Sequence, residues 1–297
     1  MSYLHILNLV KAQDILEFRW CWAMEKIHGT SAHLGFKDGA LFTFSGGASS
    51  EQFVKLFDAE KLKAGFLAIG QPEITVYGEA YGGKMQGMSA TYGKDLKFVA
   101  FEVKIGDTWL AVPQAAGIVE SLGLEFVHYV QITAAMDMID AQRKAPSEQA
   151  FRNGCANRED MTTWKPREGI VLRPPFEVTM NNGERVICKY KNEEFSERKS
   201  KADTDVTQVK VLADAELIAD EWVTETRLGH VLDALGGDQA EEQVIPALLK
   251  AMVEDIEREA KGEIFESKAA RRAIGTHTVN MFKQRLKLRR EKQLEDK

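Results

Sequence analysis

The spacing of apolar residues changes once along this chain of 297 residues, and that change constrains the fold more than any other feature. Before Asp203, apolar residues alternate or fall in short runs separated by glycine and asparagine. Residues 32–36 and 41–44 flank Asp38-Gly39, a hairpin signal because a tight turn between strands needs positive φ at its two central positions. Residues 18–24, 74–79, 96–104, 109–112, 169–173 and 185–190 have the length and pattern of further strands, and 113–122 and 133–143 carry apolar residues at helical spacing. After Asp203 the strand signals thin out. Val223, Leu228, Val231, Leu232 and Leu235 recur at helical intervals and stop at Gly236-Gly237, and helices are expected over 241–261 and from Thr276 towards the end. The pattern predicts a mixed α+β domain over residues 1–205 and a small all-helical domain over 206–297.

Composition is that of a globular chain, with 44% hydrophobic and 28% charged residues. No run approaches the ~18 apolar residues of a membrane span, and the first residues lack the pattern of a secretion signal. Cys21, Cys155 and Cys188 are scattered and odd in number, so they read as reduced thiols rather than a disulfide framework or zinc site. A cytoplasmic monomer with no membrane contact is expected. The net charge of −6 argues against nucleic acid only if charge is spread evenly, and it is not. Residues 165–201 hold nine Lys/Arg against six Asp/Glu, a balance of +3. Residues 203–263 hold five against sixteen, or −11, and the last fifteen residues seven against three, or +4. Fields are screened beyond ~10 Å, so local basic surface decides phosphate binding.

Chemistry concentrates in a few short segments. Glu25-Lys26-Ile27-His28-Gly29-Thr30 follows an apolar strand, and glycine would let the chain turn sharply and bring its backbone close to a ligand. A lysine attacks only as the neutral amine, a form that desolvation or nearby positive charge favours. Cys188-Lys189-Tyr190-Lys191 puts two lysines at i and i+2, on one face of a strand. Alone, the pair reads as the solvated face of an edge strand. Together with Lys26 it could hold a phosphate. Glu79, in Val76-Tyr77-Gly78-Glu79-Ala80, and Glu168, opening Glu168-Gly169-Ile170-Val171, are carboxylates in apolar settings, suited either to surface ion pairs or to Mg²⁺.

In this order EKIHG, VYGEAYG, FVAFEV, EGIVLRP and CKYK resemble the motifs of the covalent nucleotidyltransferases, which comprise DNA ligases, RNA ligases and mRNA capping enzymes. His28 and the segments 191–200 and 223–228 make the chain most similar to the nick-sealing RNA ligase of T-even bacteriophage and its relatives. The resemblance implies an antiparallel-sheet nucleotidyltransferase (ATP-grasp-like ligase) domain with a helical C-terminal domain. It implies an ATP-dependent ligase that joins 3′-hydroxyl and 5′-phosphate ends at nicks in RNA or RNA-containing duplexes, using Mg²⁺ or Mn²⁺, as in RNA repair. Lys26 would carry AMP, and Glu25, Ile27 and Gly29 would border the nucleotide. His28 would act near its phosphate after adenylation. Glu79 would contact ribose or a metal-bound water, Phe101 would stack on adenine, Glu168 would position the metal, and Lys189 and Lys191 would hold the α-phosphate.

Two departures bear on the nick rather than on ATP. The relatives carry an arginine roughly fifteen to twenty residues after the lysine, where this chain has Phe44-Ser45-Gly46-Gly47-Ala48-Ser49. Thr30-Ser31 stands where they have Thr-Asn. A DNA or mixed RNA/DNA nick ligase, a GTP-using capping enzyme and a non-catalytic protein that binds nucleic-acid ends are the alternatives.

Overall fold

The structure is a computed structural model that describes residues 3–195, 215–236, 242–261, 263–264 and 266–295. It divides into two compact units, Met1–Asn192 and Glu193–Lys297. The expected boundary at residues 205 and 206 lies outside the described residues, as do residues 196–200 of the motif-like run after Lys191.

Unit 1 contains two antiparallel sheets. Sheet A has the order β7-β1-β8-β9, built from β1 (Trp20–Lys26), β7 (Tyr129–Thr133), β8 (Gly169–Arg173) and β9 (Cys188–Lys191). Sheet B has the order β3-β2-β4-β5-β6, from β2 (Thr30–Lys37), β3 (Ala40–Ser45), β4 (Glu73–Gly82), β5 (Leu96–Ile105) and β6 (Thr108–Trp109). The β2–β3 hairpin turns at Asp38-Gly39, with φ of 51° and 80°, as a two-residue hairpin loop requires. Along β4 the buried positions Ile74, Val76 and Ala80 alternate with Thr75, Tyr77 and Glu79, which therefore share the opposite face.

Short helices α1 (Ser50–Val54), α3 (Ser89–Tyr92) and α6 (Glu148–Arg152) join these strands, together with α2 (Ala59–Ile69), α4 (Val112–Ser121) and α5 (Met136–Lys144). Leu62 and Phe66 of α2 and Val112, Ala115 and Val119 of α4 pack with Leu34, Ile74, Val76 and Val103 in the main core. Burying such side chains is worth roughly 1.5–3 kcal/mol each, which is what holds these helices on the sheet.

Several expected boundaries shift for local reasons. The strand expected to reach residue 112 ends at Trp109, because Pro113 in the first turn starts α4. The helix expected over 133–143 begins at Met136, since Thr133 pairs with Trp20 on β1. The strand expected over 185–190 is Cys188–Lys191, and Arg185 is drawn into ion pairs instead.

Unit 2 is helical over its described residues, with α7 (Ala215–Trp222), α8 (Glu225–Ala234), α9 (Ile245–Glu259) and α10 (Lys268–Glu295), the last starting eight residues before Thr276. Trp222, Leu228, Leu248, Met252, Ile256, Ile274 and Phe282 form its core. Thr224 caps α8 by accepting from the Arg227 amide. Arg227 is buried, paired with Asp255, and donates to the Trp222 carbonyl at 3.1 Å.

Candidate active site

Lys26 ends β1, paired in register with Gly169 of β8, so the strand delivers its side chain beside Glu168. Lys26 Nζ donates to Glu168 Oε2 at 2.8 Å. Lys191 Nζ lies 3.1 Å from Oε1 of the same carboxylate, and His28 Nδ1 lies 3.3 Å from Oε2. Glu168 is only 1% exposed, whereas the Lys26 side chain keeps 24% of its surface. Burial works against the Glu168 carboxylate, but Lys26, Lys191 and His28 outweigh it and hold Glu168 well below the usual range. Its charge is therefore secured from two segments far apart in sequence, by Lys26 and His28 around the end of β1 and by Lys191 on β9.

Glu79 comes to the same place from sheet B. Gly29 approaches β4 so closely that a β-carbon there would fall 2.4 Å from the Ala80 carbonyl oxygen and 2.9 Å from Glu79 Cγ. The glycine is required by this close contact between neighbouring strands rather than by a turn. Burial pushes the Glu79 carboxyl up to about 8, against the pull of Lys26 and with a further push from Glu168. Near neutral pH, Glu79 thus holds a proton that Glu168 has lost.

The remaining expected residues divide. Glu25 is buried and its carboxylate accepts from Ser147 Oγ at 2.6 Å and the Gln149 amide at 3.2 Å. Burial raises its pKa while Arg167 lowers it. Ile27 packs in the main core. Phe101 stands unpaired at a β-bulge in β5 between the partners of Tyr77 and Gly78, its ring edge-on to Tyr3 at 4.9 Å. Lys189 shares a face of β9 with Lys191, and its backbone holds the N-terminal segment, with Leu9 N–H to Lys189 O at 2.8 Å and Lys189 N–H to Leu7 O at 2.9 Å.

The motifs did not single out a second buried network. Glu102 pairs with Arg173 at 2.9 Å and with Arg185, both arginines pair with Glu177, and Tyr3 donates to Glu102. The available signal was charge inside apolar strand segments, Glu102 in FVAFEV and Arg173 in GIVLR. Ser147 and Tyr3 carried no such signal. In the segment without an arginine, Ser49 caps α1 and Ser45 Oγ accepts from the Ala48 amide at 3.2 Å.

No group of three or more His, Cys, Asp or Glu among the described residues is arranged to hold a metal ion. An ion of the Mg²⁺ type keeps several waters and takes only one or two carboxylates alongside substrate phosphates, so Glu168 with Glu79 could serve one only once Glu79 has given up its proton.

Comparison with known proteins gives the chain a family. A family model described as RNA ligase matches residues 20–191, more than half of the chain, and the chain belongs to that family. Among solved structures it is similar to Naegleria gruberi RNA ligase with PPi, at TM-score 0.50 and 15% identity over 66% of this chain and 57% of that one. Variants of the same ligase match alike at TM-score 0.50, one with AMP and Mn at 14% identity and one with ATP and Mn at 15%. The chain thus spans less than two thirds of these ligases and shares their mixed helix and antiparallel-sheet fold. No curated protein matches it. No helix among the described residues is long and apolar enough to cross a membrane.

Proposed function

We propose that the chain is an ATP-dependent RNA ligase that seals 3′-hydroxyl/5′-phosphate nicks in RNA or RNA-containing duplexes through AMP carried on Lys26. One observation supports this above all: two lysines, one at the end of β1 and one on β9, converge on the buried Glu168 beside a carboxyl that keeps its proton. Such a surplus of positive charge suits an anionic ligand more than a structural ion pair.

In the first step Lys26 Nζ, having released a proton, attacks the α-phosphorus. A P–N bond forms as the P–O bond to pyrophosphate breaks, and Lys191 and Lys189 stabilise the added negative charge. A 5′-phosphate oxygen of the broken strand then attacks the same phosphorus, and the P–N bond returns its electrons to Lys26. Finally a 3′-hydroxyl attacks the adenylated 5′-phosphate, a phosphodiester forms, and AMP leaves. His28, beside Glu168, is placed to act at the phosphate once Lys26 is occupied. A divalent ion, Mg²⁺ or Mn²⁺, would be held by Glu168 and Glu79 together with the nucleotide and would supply charge neutralisation. The ATP and Mn in similar ligases support this reading.

The helical unit is proposed to engage the duplex. From Lys268 to Arg290, α10 carries eight Lys/Arg and no acidic residue, and Lys268, Arg272, Lys283 and Lys287 are exposed. The bacteriophage nick-sealing ligases remain the proposed nearest kin, on the strength of His28.

The test is transfer of label from α-labelled ATP to protein. Wild-type chain becomes labelled and Lys26→Ala does not, while label persisting in the variant would refute the assignment. Sealing across a panel of nicks with RNA or DNA on each side then fixes the substrate.

A further inference from the structure

The face of sheet B that carries Glu79 also carries a row of rings running across the strands. Phe44 on β3 lies opposite His33 on β2, and His33 lies opposite Tyr77 on β4. Directly opposed residues share a face, and Tyr77 is two residues from Glu79, so the row is on the Glu79 side. Ring centroids are 5.1 Å apart for Phe44 and His33, 5.6 Å for His33 and Tyr77, and 5.2 Å for Tyr77 and Trp109.

The two ends of the row differ. At the β5–β6 end Tyr3 packs on Tyr77, Phe101 and Trp109, and Arg185 stacks on Trp109 at 4.2 Å. At the β3 end Phe44 remains 44% exposed. Its ring and that of His33 are nearly parallel, at 22°, an offset stack rather than the edge-on contact most other ring pairs here adopt. His33 is buried, and its Nδ1 has no hydrogen-bond partner among the described residues; the same is true of Ser31 Oγ, opposite Glu79. Between the Glu79 end of the site and Phe44 there are therefore two buried polar atoms awaiting a partner.

Cross-strand ring pairs do stabilise sheets, and one exposed phenylalanine alone would mean little. Here the ring lies on the same sheet face as Glu79, two strands away from β4. It also opens the segment in which the expected arginine is missing. We propose that Phe44, backed by His33, is a stacking platform for the nucleobase at the 3′-hydroxyl end of the RNA strand, distinct from the place of the ATP adenine. The proposal rests on the ligase reading for its substrate. An aromatic face accepts any base, so this contact contributes affinity with little sequence preference and little dependence on salt.

The experiment uses the full chain without ATP and a short RNA with 2-aminopurine as its 3′-terminal base, whose fluorescence is quenched on stacking. Saturable quenching is expected with wild type and with Phe44→Tyr. Phe44→Val, which keeps a strand-favouring side chain, should lose the quenching and bind about tenfold or more weakly, the scale of one lost base–aromatic stack. Unchanged quenching in Phe44→Val overturns the proposal, as does quenching that appears only with the probe at an internal position, or no binding by wild type. Because ATP is absent, a failed adenylation test would remove the ligase reading without touching this outcome.

Discussion

Two charge clusters in unit 1 set buried carboxylates against cationic side chains to different ends. Around Glu168, Lys26 and Lys191 share one carboxylate with His28 beside it, and Glu79 nearby keeps its proton. Around Glu102, two arginines meet two carboxylates, and Tyr3 fills the remaining acceptor. The second cluster is balanced, so its charges satisfy one another and it holds sheets and N-terminal segment together. The first has cations in excess, and an excess of buried positive charge is tolerated where an anion is to be bound. The ratio of partners, rather than burial, separates a binding site from a brace.

The most damaging change to that contrast is Glu168→Gln. It leaves Lys26 and Lys191 in place without the anion that orients them, and AMP transfer to Lys26 should fall by on the order of 10³. A variant that transfers AMP at the wild-type rate but melts earlier would make this cluster a brace as well. Next comes Glu102→Gln, which leaves Arg173 and Arg185 with only Glu177. Unfolding by denaturant should show a loss of about 3 kcal/mol, as for a broken buried pair. No loss of stability would show that the Glu102 network does not brace the fold.

The third effect is a pH dependence. Folded Glu79 keeps its proton up to about 8, whereas an unfolded glutamate releases it near ~4.3. The folded state then binds more protons over that window, so stability falls as pH rises from about 4.5 to 8 and levels off above it. Glu168 has the opposite sign. Its carboxyl is held low, so its contribution is present above the unfolded value and is lost as acid takes pH through the folded one. Melting temperatures of Glu79→Gln should therefore gain on wild type between pH 5 and pH 8, by on the order of ten degrees. Parallel curves would place Glu79 in ordinary solvent.

Much of the site was legible in the sequence because its parts are short and local. EKIHG, GEAYG, EGIVLRP and CKYK each lie on or beside a strand whose apolar pattern announced it, and the Asp38-Gly39 turn was marked by its own residues. Other features left no local trace. Ser147 binds the Glu25 carboxylate across 122 positions, and Tyr3 reaches Glu102 across 99. Gly29 looked like a turn glycine and proved to be a packing one, since the β4 backbone it touches lies some fifty residues away.

The order of motifs, the strand periodicity and the switch to helical spacing after Asp203 were determined by the sequence alone, because they depend on neighbours within a few residues. Tertiary structure decided which cations share Glu168, why Glu79 keeps its proton, and which aromatic end remains open. Those properties depend on distance and burial, and the Lys26–Glu168 contact spans 142 positions. A one-dimensional pattern names the charged groups. Only the closed fold sets how strongly each one is desolvated and which partner stands within hydrogen-bond reach.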